Sequence, residues 1–141
     1  MTQAASLRMK LEPGSGVPVY RQIIDQVMAG VAAGALAPGS QLATIRQLAV
    51  DLAVNPNTVL RAYKELEIRG IVTTQQGLGT FVTAKKVEQD EVARQGRLDR
   101  LAVDVAARAG AEGFGLDELI VRLGEMSAGG KGRKERGKRR S

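Results

Sequence analysis

Apolar side chains recur along residues 18–70 with the spacing of three consecutive helices. The first predicted helix begins near Pro18, a residue that a first helical turn tolerates, and ends at Gly34, a typical C-terminal cap. Its apolar stripe has the helical i, i+3, i+4, i+7 spacing and comprises Tyr20, Ile23, Ile24, Val27, Met28 and Val31. Pro38 and Gly39 then indicate a turn.

Two further helices are predicted close together in the chain. Thr44 is positioned to cap the second helix, and Gln47 is positioned to complete a capping box. Asn55 is positioned to cap the third helix, Pro56 suits its first position, and Gly70 ends it. The predicted buried face of the second helix is Ile45, Leu48, Ala49 and Leu52, and that of the third is Val59, Ala62, Tyr63 and Leu66.

A β-hairpin is predicted directly after the third helix. Residues 71–75 and 80–83 are rich in β-branched side chains, and the connection 76–79 contains two glycines. Three helices followed by a hairpin, with a very short turn between the second and third helices, is the order of a winged helix-turn-helix. The expected fold is therefore mostly α with a small β-hairpin wing.

By composition the chain divides into the winged helix-turn-helix domain and three segments that flank it. Residues 1–16 are expected to form a loosely ordered N-terminal arm, in which the alternation of Leu7, Met9 and Leu11 permits a short strand. Residues 17–85 are the predicted winged helix-turn-helix domain, 86–127 a helical tail, and 128–141 a disordered basic tail.

The helical tail presents two narrow apolar stripes, one on each of its two predicted helices. They are Leu98, Leu101, Val105 and Ala109 on the first, and Leu116, Leu119, Ile120 and Leu123 on the second, with a loop at 110–115 between them. A lone two-helix hairpin cannot bury both faces, so we expect a C-terminal dimerisation element and a homodimer. The alternative is that these helices fold back on their own winged helix.

The absence of cysteine and histidine narrows the chemistry. It excludes disulfides, Cys/His zinc sites and His-dependent triads, and we expect no metal, no cofactor and no enzyme. The paired carboxylates Asp90-Glu91 and Asp117-Glu118 are interpreted as solvated charges on helix surfaces. No run approaches the roughly 18 apolar residues of a membrane span, and the first ten residues lack the apolar segment of a secretory signal. A soluble cytoplasmic protein is expected.

The net charge of +6 comes from one end of the chain. Residues 131–140 hold seven basic residues and one acid, so the rest of the chain is neutral. Such a tail attracts phosphate backbones or anionic surfaces without sequence preference, or simply aids solubility.

The segment from Leu42 to Val82, LATIRQLAVDLAVNPNTVLRAYKELEIRGIVTTQQGLGTFV, resembles the DNA-binding domain of the GntR superfamily. The preceding VPVYRQIIDQVMAGVAAGALAPGSQL is similar to the family's first helix and turn, and NPNTVLRAYKELE resembles the YtrA-like subfamily in particular. The resemblance covers residues 17–83 well and 84–127 only in size and helical character. One departure is Ala43, where the family usually has proline, and we expect a freer turn there.

The resemblance implies a sequence-specific transcription regulator, most often a repressor, that acts as a homodimer on a palindromic operator in double-stranded DNA. A small-molecule effector of unknown identity is a further partner to consider. The alternative is a nonspecific architectural DNA-binding protein that uses the basic tail, for which a steep salt dependence would be typical.

The expected DNA-binding residues follow from how a helix-turn-helix docks, with the third helix entering the major groove. By the resemblance, Arg46 anchors a phosphate or reaches a base. Asn57 can bond an adenine edge, Thr58 can contact a phosphate or a thymine methyl group, and Arg61 a phosphate or guanine. The full expected set is Arg46, Asn55, Asn57, Thr58, Arg61, Lys64, Gln76 and Gly77.

Several members of this set have a simpler structural explanation. Capping alone accounts for Asn55, an ordinary hairpin turn accounts for Gly77, and Arg46 taken alone is a solvated charge. Lys64 is a candidate for backbone contact, and the resemblance places Gln76 at the wing tip near the minor groove. Lys85 and Lys86 are candidates for phosphate contacts at the base of the wing, whereas Tyr63 and Phe81 are expected in the core. Leu60 stands where many family members carry a polar or basic residue, so a relative's base preference does not transfer directly.

Overall fold

The computed structural model describes residues 8–84 and 90–127, which fall into two compact units that divide between residues 85 and 86. In chain order the elements are α1 (Val19–Ala33), α2 (Ile45–Leu52), α3 (Pro56–Ile68), β1 (Val72–Gln75), β2 (Gly79–Val82), α4 (Glu91–Ala111) and α5 (Leu116–Met126). The first unit holds the first three helices and the hairpin, and the second holds α4 and α5. The expected fold class, mostly helical with a hairpin wing, is confirmed.

The start and stop signals of the three N-terminal helices are confirmed, with one exception. Gly34 ends α1 in the left-handed conformation, with φ of 83°. Thr44 caps α2 by accepting from the Gln47 backbone N–H at 3.0 Å. The second half of the expected capping box is wrong, because the Gln47 side chain donates instead to Asp51 one turn along the helix, at 2.8 Å.

The turn between α2 and α3 depends on a residue that the sequence did not single out. Ala53 adopts the left-handed conformation, with φ of 57°, and is the only non-glycine residue with positive φ among residues 8–84 and 90–127. L-residues pay a steric penalty in this region, so the surrounding packing must hold the turn in place. The backbone N–H of Val54 donates to Ala49 at 3.0 Å and closes the turn.

The hairpin is joined by a third extended segment that the sequence did not predict. β1 and β2 pair antiparallel, with Val72 opposite Val82 and Gln75 opposite Gly79, which moves the second strand one residue earlier than expected. Residues 39–42 run beside β2: Leu42 donates to Thr80 at 2.8 Å, and Val82 donates to Ser40 at 2.8 Å. The wing is therefore tied to the chain that enters α2.

The core of the first unit is built largely from the predicted stripes, with Leu36 and Leu42 added from outside them, while Tyr20, Met28 and Val31 of the α1 stripe are only partly buried. Every residue of the predicted α3 stripe is buried, whereas Ile45 and Leu52 of the α2 stripe are only partly buried. The buried apolar residues are Ile23, Ile24, Val27, Leu36, Leu42, Leu48, Ala49, Val59, Ala62, Tyr63, Leu66, Val72 and Val82. Phe81, expected in the core, is half-buried.

The N-terminal segment from residue 8 to residue 12 is extended but pairs with side chains instead of a strand. The Gln26 amide accepts from the Lys10 N–H at 3.0 Å and donates to the Lys10 carbonyl at 2.9 Å. Gln22 makes the same pair of bonds to Glu12, at 2.8 and 3.2 Å. The short strand considered around Met9 is therefore not formed, and residues 8–12 are anchored on α1 instead of being loose. Residues 1–7 of the expected arm lie outside the described residues.

The second unit consists of two helices joined by a short loop. Asp90 caps α4 by accepting from the Val92 N–H at 3.0 Å, and Gly115 donates to Glu118 at 2.9 Å at the start of α5. Helix α4 extends two residues beyond the expected 109. Ala109 is its one buried residue, and no residue of α5 is buried. The expected basic tail, 128–141, lies outside the described residues, as do Lys85 and Lys86.

Tyr63 offers a test of the core. Its hydroxyl donates to the Ala43 carbonyl at 2.7 Å, and burial raises the pKa of the phenol well above its usual value. Tyr63→Phe removes the donor to Ala43, so we expect the free energy of unfolding at neutral pH to fall by about 1 kcal/mol. The measurement is urea unfolding of the wild type and the variant at neutral pH.

The wild type and Tyr63→Phe also test how the stability of the fold depends on pH. A raised folded-state pKa means that the neutral phenol stabilises the fold below about pH 10, where a free tyrosine ionises, and that this stability is lost as the pH rises. The wild type should therefore lose stability more steeply than Tyr63→Phe above that pH. Parallel losses in the two proteins would contradict the assignment.

Candidate nucleic-acid interface

The packing of α3 determines which of its side chains face outward. With Val59, Ala62 and Leu66 fully buried, the opposite face presents residues from the first three turns. Asn57, Leu60, Arg61 and Lys64 are exposed, and Thr58 is half-buried. The structure therefore places four of the expected DNA-binding residues, Asn57, Thr58, Arg61 and Lys64, on one accessible surface.

Asn55 directly precedes α3, and Arg46 lies on α2. The Asn55 side-chain oxygen accepts from the Asn57 N–H at 2.8 Å, so the cap fixes the orientation of this side chain. Arg46 is exposed in the first turn of α2 and makes no ion pair or hydrogen bond among the described residues. The Ala43 carbonyl just before α2 is held by Tyr63, so this turn is anchored although proline is absent.

A recess of about 400 Å³ opens between α1 and the start of α3. It is lined by Val19, Tyr20, Asn55, Asn57, Thr58 and Arg61. The Arg61 guanidinium carbon lies 3.8 Å from the centre of the Tyr20 ring. Helical spacing predicts Tyr20 only as part of the apolar α1 stripe. Nothing in that spacing indicates that the Tyr20 ring contacts Arg61, 41 residues further along the chain.

A second cleft, of about 390 Å³, separates α3 from the hairpin. It brings Lys64 and Gln76 together, and its other lining residues are Ile45, Leu60, Tyr63, Glu67, Thr74 and Thr80. Gly77 lies outside it, at the exposed tip of the hairpin, with φ of 79°. The eight expected residues thus lie in three places: the start of α2, the outer face of α3 with its cap, and the hairpin tip.

Gln41 stabilises the hairpin tip, a role that the sequence pattern does not predict. Its side-chain amide nitrogen donates to the Leu78 carbonyl at 3.0 Å and so braces the hairpin tip from the segment that precedes α2. Gly79 makes room for this brace, because a Cβ there would lie 2.6 Å from the Gln41 amide nitrogen. The signal was present in the sequence only as a second glycine in the turn.

The charges on this surface favour an anionic partner. Arg46, Arg61 and Lys64 take part in no ion pair within residues 8–84 and 90–127, whereas Arg69, directly after the last residue of α3, is paired with Glu65 at 3.0 Å. No cluster of carboxylates able to hold a metal ion occurs among the described residues, and none of the described helices is long and apolar enough to cross a membrane.

A helix-turn-helix with an outward polar and basic face, followed by a braced hairpin, defines a DNA-binding winged helix. The family model for bacterial regulatory proteins of the gntR family matches residues 19–82. A curated relative, the HTH-type transcriptional repressor YtrA of Bacillus subtilis, is 37% identical over 131 residues, which cover 90% of this chain and 98% of the relative. The chain therefore belongs to the GntR family, in its YtrA-like branch.

Two solved structures support the fold beyond the winged helix. YtrA from Sulfolobus acidocaldarius is 35% identical, with a TM-score of 0.52 over 67% of this chain and 97% of that one. A transcriptional antiterminator from Listeria monocytogenes is 27% identical, with a TM-score of 0.60 over 85% of this chain and 90% of that one. These relatives are regulators of transcription and not enzymes.

The brace at the hairpin tip is testable with two glycines. Gly79→Ala places a methyl group against Gln41 and imposes φ of 127° on an alanine, so we expect a lower melting temperature and faster amide exchange in the hairpin. Gly77→Ala, with φ of 79° and open space around it, is the matched control and should be milder, costing about 1 kcal/mol.

A third variant separates the two causes. Gln41→Ala removes the side chain that the added methyl group would meet, and with it the hydrogen bond to Leu78, but it leaves the backbone strain at residue 79. Gly79→Ala should therefore lower the melting temperature less in a Gln41→Ala background than in the wild type, but should still lower it. Equal melting temperatures for the two glycine variants would contradict the brace.

Proposed function

We propose that this protein is a sequence-specific DNA-binding transcription regulator, acting as a repressor and as a homodimer on a palindromic operator. The observation that carries the proposal is the outward face of α3, where polar and basic side chains stand over a fully buried stripe on the opposite side of the helix. Membership of the GntR family supports it, as does the similarity over 131 residues to a repressor. Since its ligand is DNA, its proposed compartment is the cytoplasm.

The first turns of α3 are proposed to enter the major groove. Asn57 is exposed and its side chain is not used by the cap, so it is available for a bidentate bond to adenine. Thr58 is proposed to contact a thymine methyl group or a phosphate, and Lys64 the phosphate backbone. Arg46, in the first turn of α2, is proposed to anchor a phosphate. The hairpin tip, with Gln76 and Gly77, is proposed to approach the minor groove, where a glycine permits close backbone contact.

The second unit is proposed to be the dimerisation element. Of the eight residues in the two expected stripes, Val105 and Leu119 are partly buried and Ala109 is buried. The other five each have about half or more of their surface accessible: Leu98, Leu101, Leu116, Ile120 and Leu123. A two-fold dimer buries such a face against its own copy and spaces two winged helices for two half-sites. The cavity within this unit, about 270 Å³, is smaller than most small-molecule sites. An effector bound there would need further contacts from residues outside this unit.

The alternative is nonspecific DNA coating through residues 131–140. That segment carries the whole net charge, and phosphate contacts by lysine and arginine are independent of sequence. The neutral remainder of the chain, with its polar face on α3, favours specific binding. The two functions differ in whether any DNA sequence is preferred at all.

Selection from a random-sequence duplex library, followed by sequencing, tests the proposal at about 0.15 M salt. We expect the intact chain and a chain ending at Ala128 to enrich the same palindrome, because the proposed reading surface lies in the first unit. No enriched sequence, together with binding that disappears with the tail, would establish nonspecific coating instead.

Two charge insertions test the dimer in the same selection. Leu101→Glu places a carboxylate on the exposed apolar face of α4, and we expect it to enrich a single half-site weakly. Val103→Glu is the matched control, because residue 103 is also exposed but lies on the other side of the same helix. Full palindrome enrichment by Leu101→Glu would exclude this face as the dimer interface.

A further inference from the structure

Arg61 is held by an aromatic ring from another helix. Its guanidinium carbon lies 3.8 Å from the centre of the Tyr20 ring, so a residue of α3 is stacked on a residue of α1. Arginine over the face of an aromatic ring gains a cation–π attraction, and the contact restrains a long side chain that otherwise samples many rotamers. The contact therefore fixes where the positive charge lies.

The hydrogen-bonding capacity of Arg61 remains unused. The Arg61 side chain makes no ion pair and no hydrogen bond within the described parts of the chain, 8–84 and 90–127. Stacking engages the face of the guanidinium, whereas its five N–H donors lie along the edge in the fork that suits two oxygens of one phosphate. Arg69, by contrast, already donates to Glu65 at 3.0 Å.

The surroundings of Arg61 suit an anion. The recess that it lines with Tyr20 is otherwise bounded by Val19, Asn55, Asn57 and Thr58. These are neutral residues, so no carboxylate competes for the guanidinium there. The cleft on the other side of α3 differs, because Glu67 lines it together with Lys64.

We propose that Tyr20 is a positioning residue that holds the Arg61 guanidinium at this recess so that it binds a backbone phosphate of DNA. The inference rests on the proposed function, in which the first turns of α3 enter the major groove beside the phosphates. Arg61 then fixes how the helix is seated and does not contact a base edge, a role in which a pre-positioned side chain loses less freedom on binding.

The test is a double-mutant cycle on the full-length protein, with a labelled duplex of the sequence most enriched in the selection. Binding is measured by anisotropy between about 0.05 and 0.2 M salt. Arg61→Ala should weaken binding to every DNA sequence. It should also make the plot of log affinity against log salt concentration (the salt slope) shallower by about one unit, because one fewer counterion is released. Tyr20→Leu should weaken binding roughly fivefold in the wild-type background, the loss expected for one cation–π contact.

Three comparisons separate positioning from simple stability. Tyr20→Phe keeps the ring face and should bind like the wild type, whereas Tyr20→Leu should have no further effect once Arg61 is alanine. The Arg61 Nε–H resonance should lie upfield in the wild type and in Tyr20→Phe, and move downfield in Tyr20→Leu. Arg69→Ala, which removes a paired arginine of the same helix, should leave the salt slope unchanged.

Four results would overturn the inference. The first is an equal loss of DNA affinity from Tyr20→Leu whether residue 61 is arginine or alanine, and the second is wild-type affinity in Arg61→Ala. The third is that Arg61→Ala loses discrimination at a single base pair only. The fourth is an Arg61 Nε–H chemical shift that does not change when Tyr20 is replaced. In each case an enriched sequence for the wild type leaves the proposed function standing. A wild type that enriches no sequence would remove the proposed function, and the inference with it.

Discussion

The burial of one face of α3 is the constraint on which the rest of the structure depends. Val59, Ala62 and Leu66 are completely inaccessible, and Tyr63 nearly so. Each packs against side chains from α1, α2 or the hairpin, so α3 cannot rotate without exposing large apolar groups, at roughly 25 cal/mol for each Å². The outward direction of Asn57, Arg61 and Lys64 is a consequence of this burial.

The same helix is also fixed by polar contacts at its N-terminal end and in its middle. At one end Asn55 caps the first turn and Arg61 stacks on Tyr20 of α1. In the middle Tyr63 donates to Ala43, and the segment that leads away from Ala43 toward the N-terminus pairs with β2. The hairpin tip is in turn braced by Gln41 of that segment. The wing and the outward face of α3 therefore belong to one continuous hydrogen-bonded and packed framework.

Sequence alone predicted the parts of this framework that local rules govern. The stripe of α3, the caps at Thr44 and Asn55 and the hairpin turn follow from spacing and turn chemistry, and the structure has them. Contacts between distant positions were not predictable in this way: Gln41 to Leu78, Tyr20 to Arg61, and the amides of Gln22 and Gln26 against residues 8–12. Such pairs depend on tertiary placement, which no periodicity encodes. The expected roles of individual residues in DNA binding remain predictions.

Contact between the first turn of α3 and base edges, as proposed, is tested most directly by one substitution. The affinity of Asn57→Ala is compared with that of the wild type on the selected palindrome and on every single base-pair substitution of it. We expect the variant to lose discrimination between base pairs, by about 1–3 kcal/mol, at one symmetric pair of positions and to keep it elsewhere. A uniform loss of affinity across all duplexes, or a profile identical to that of the wild type, would contradict it.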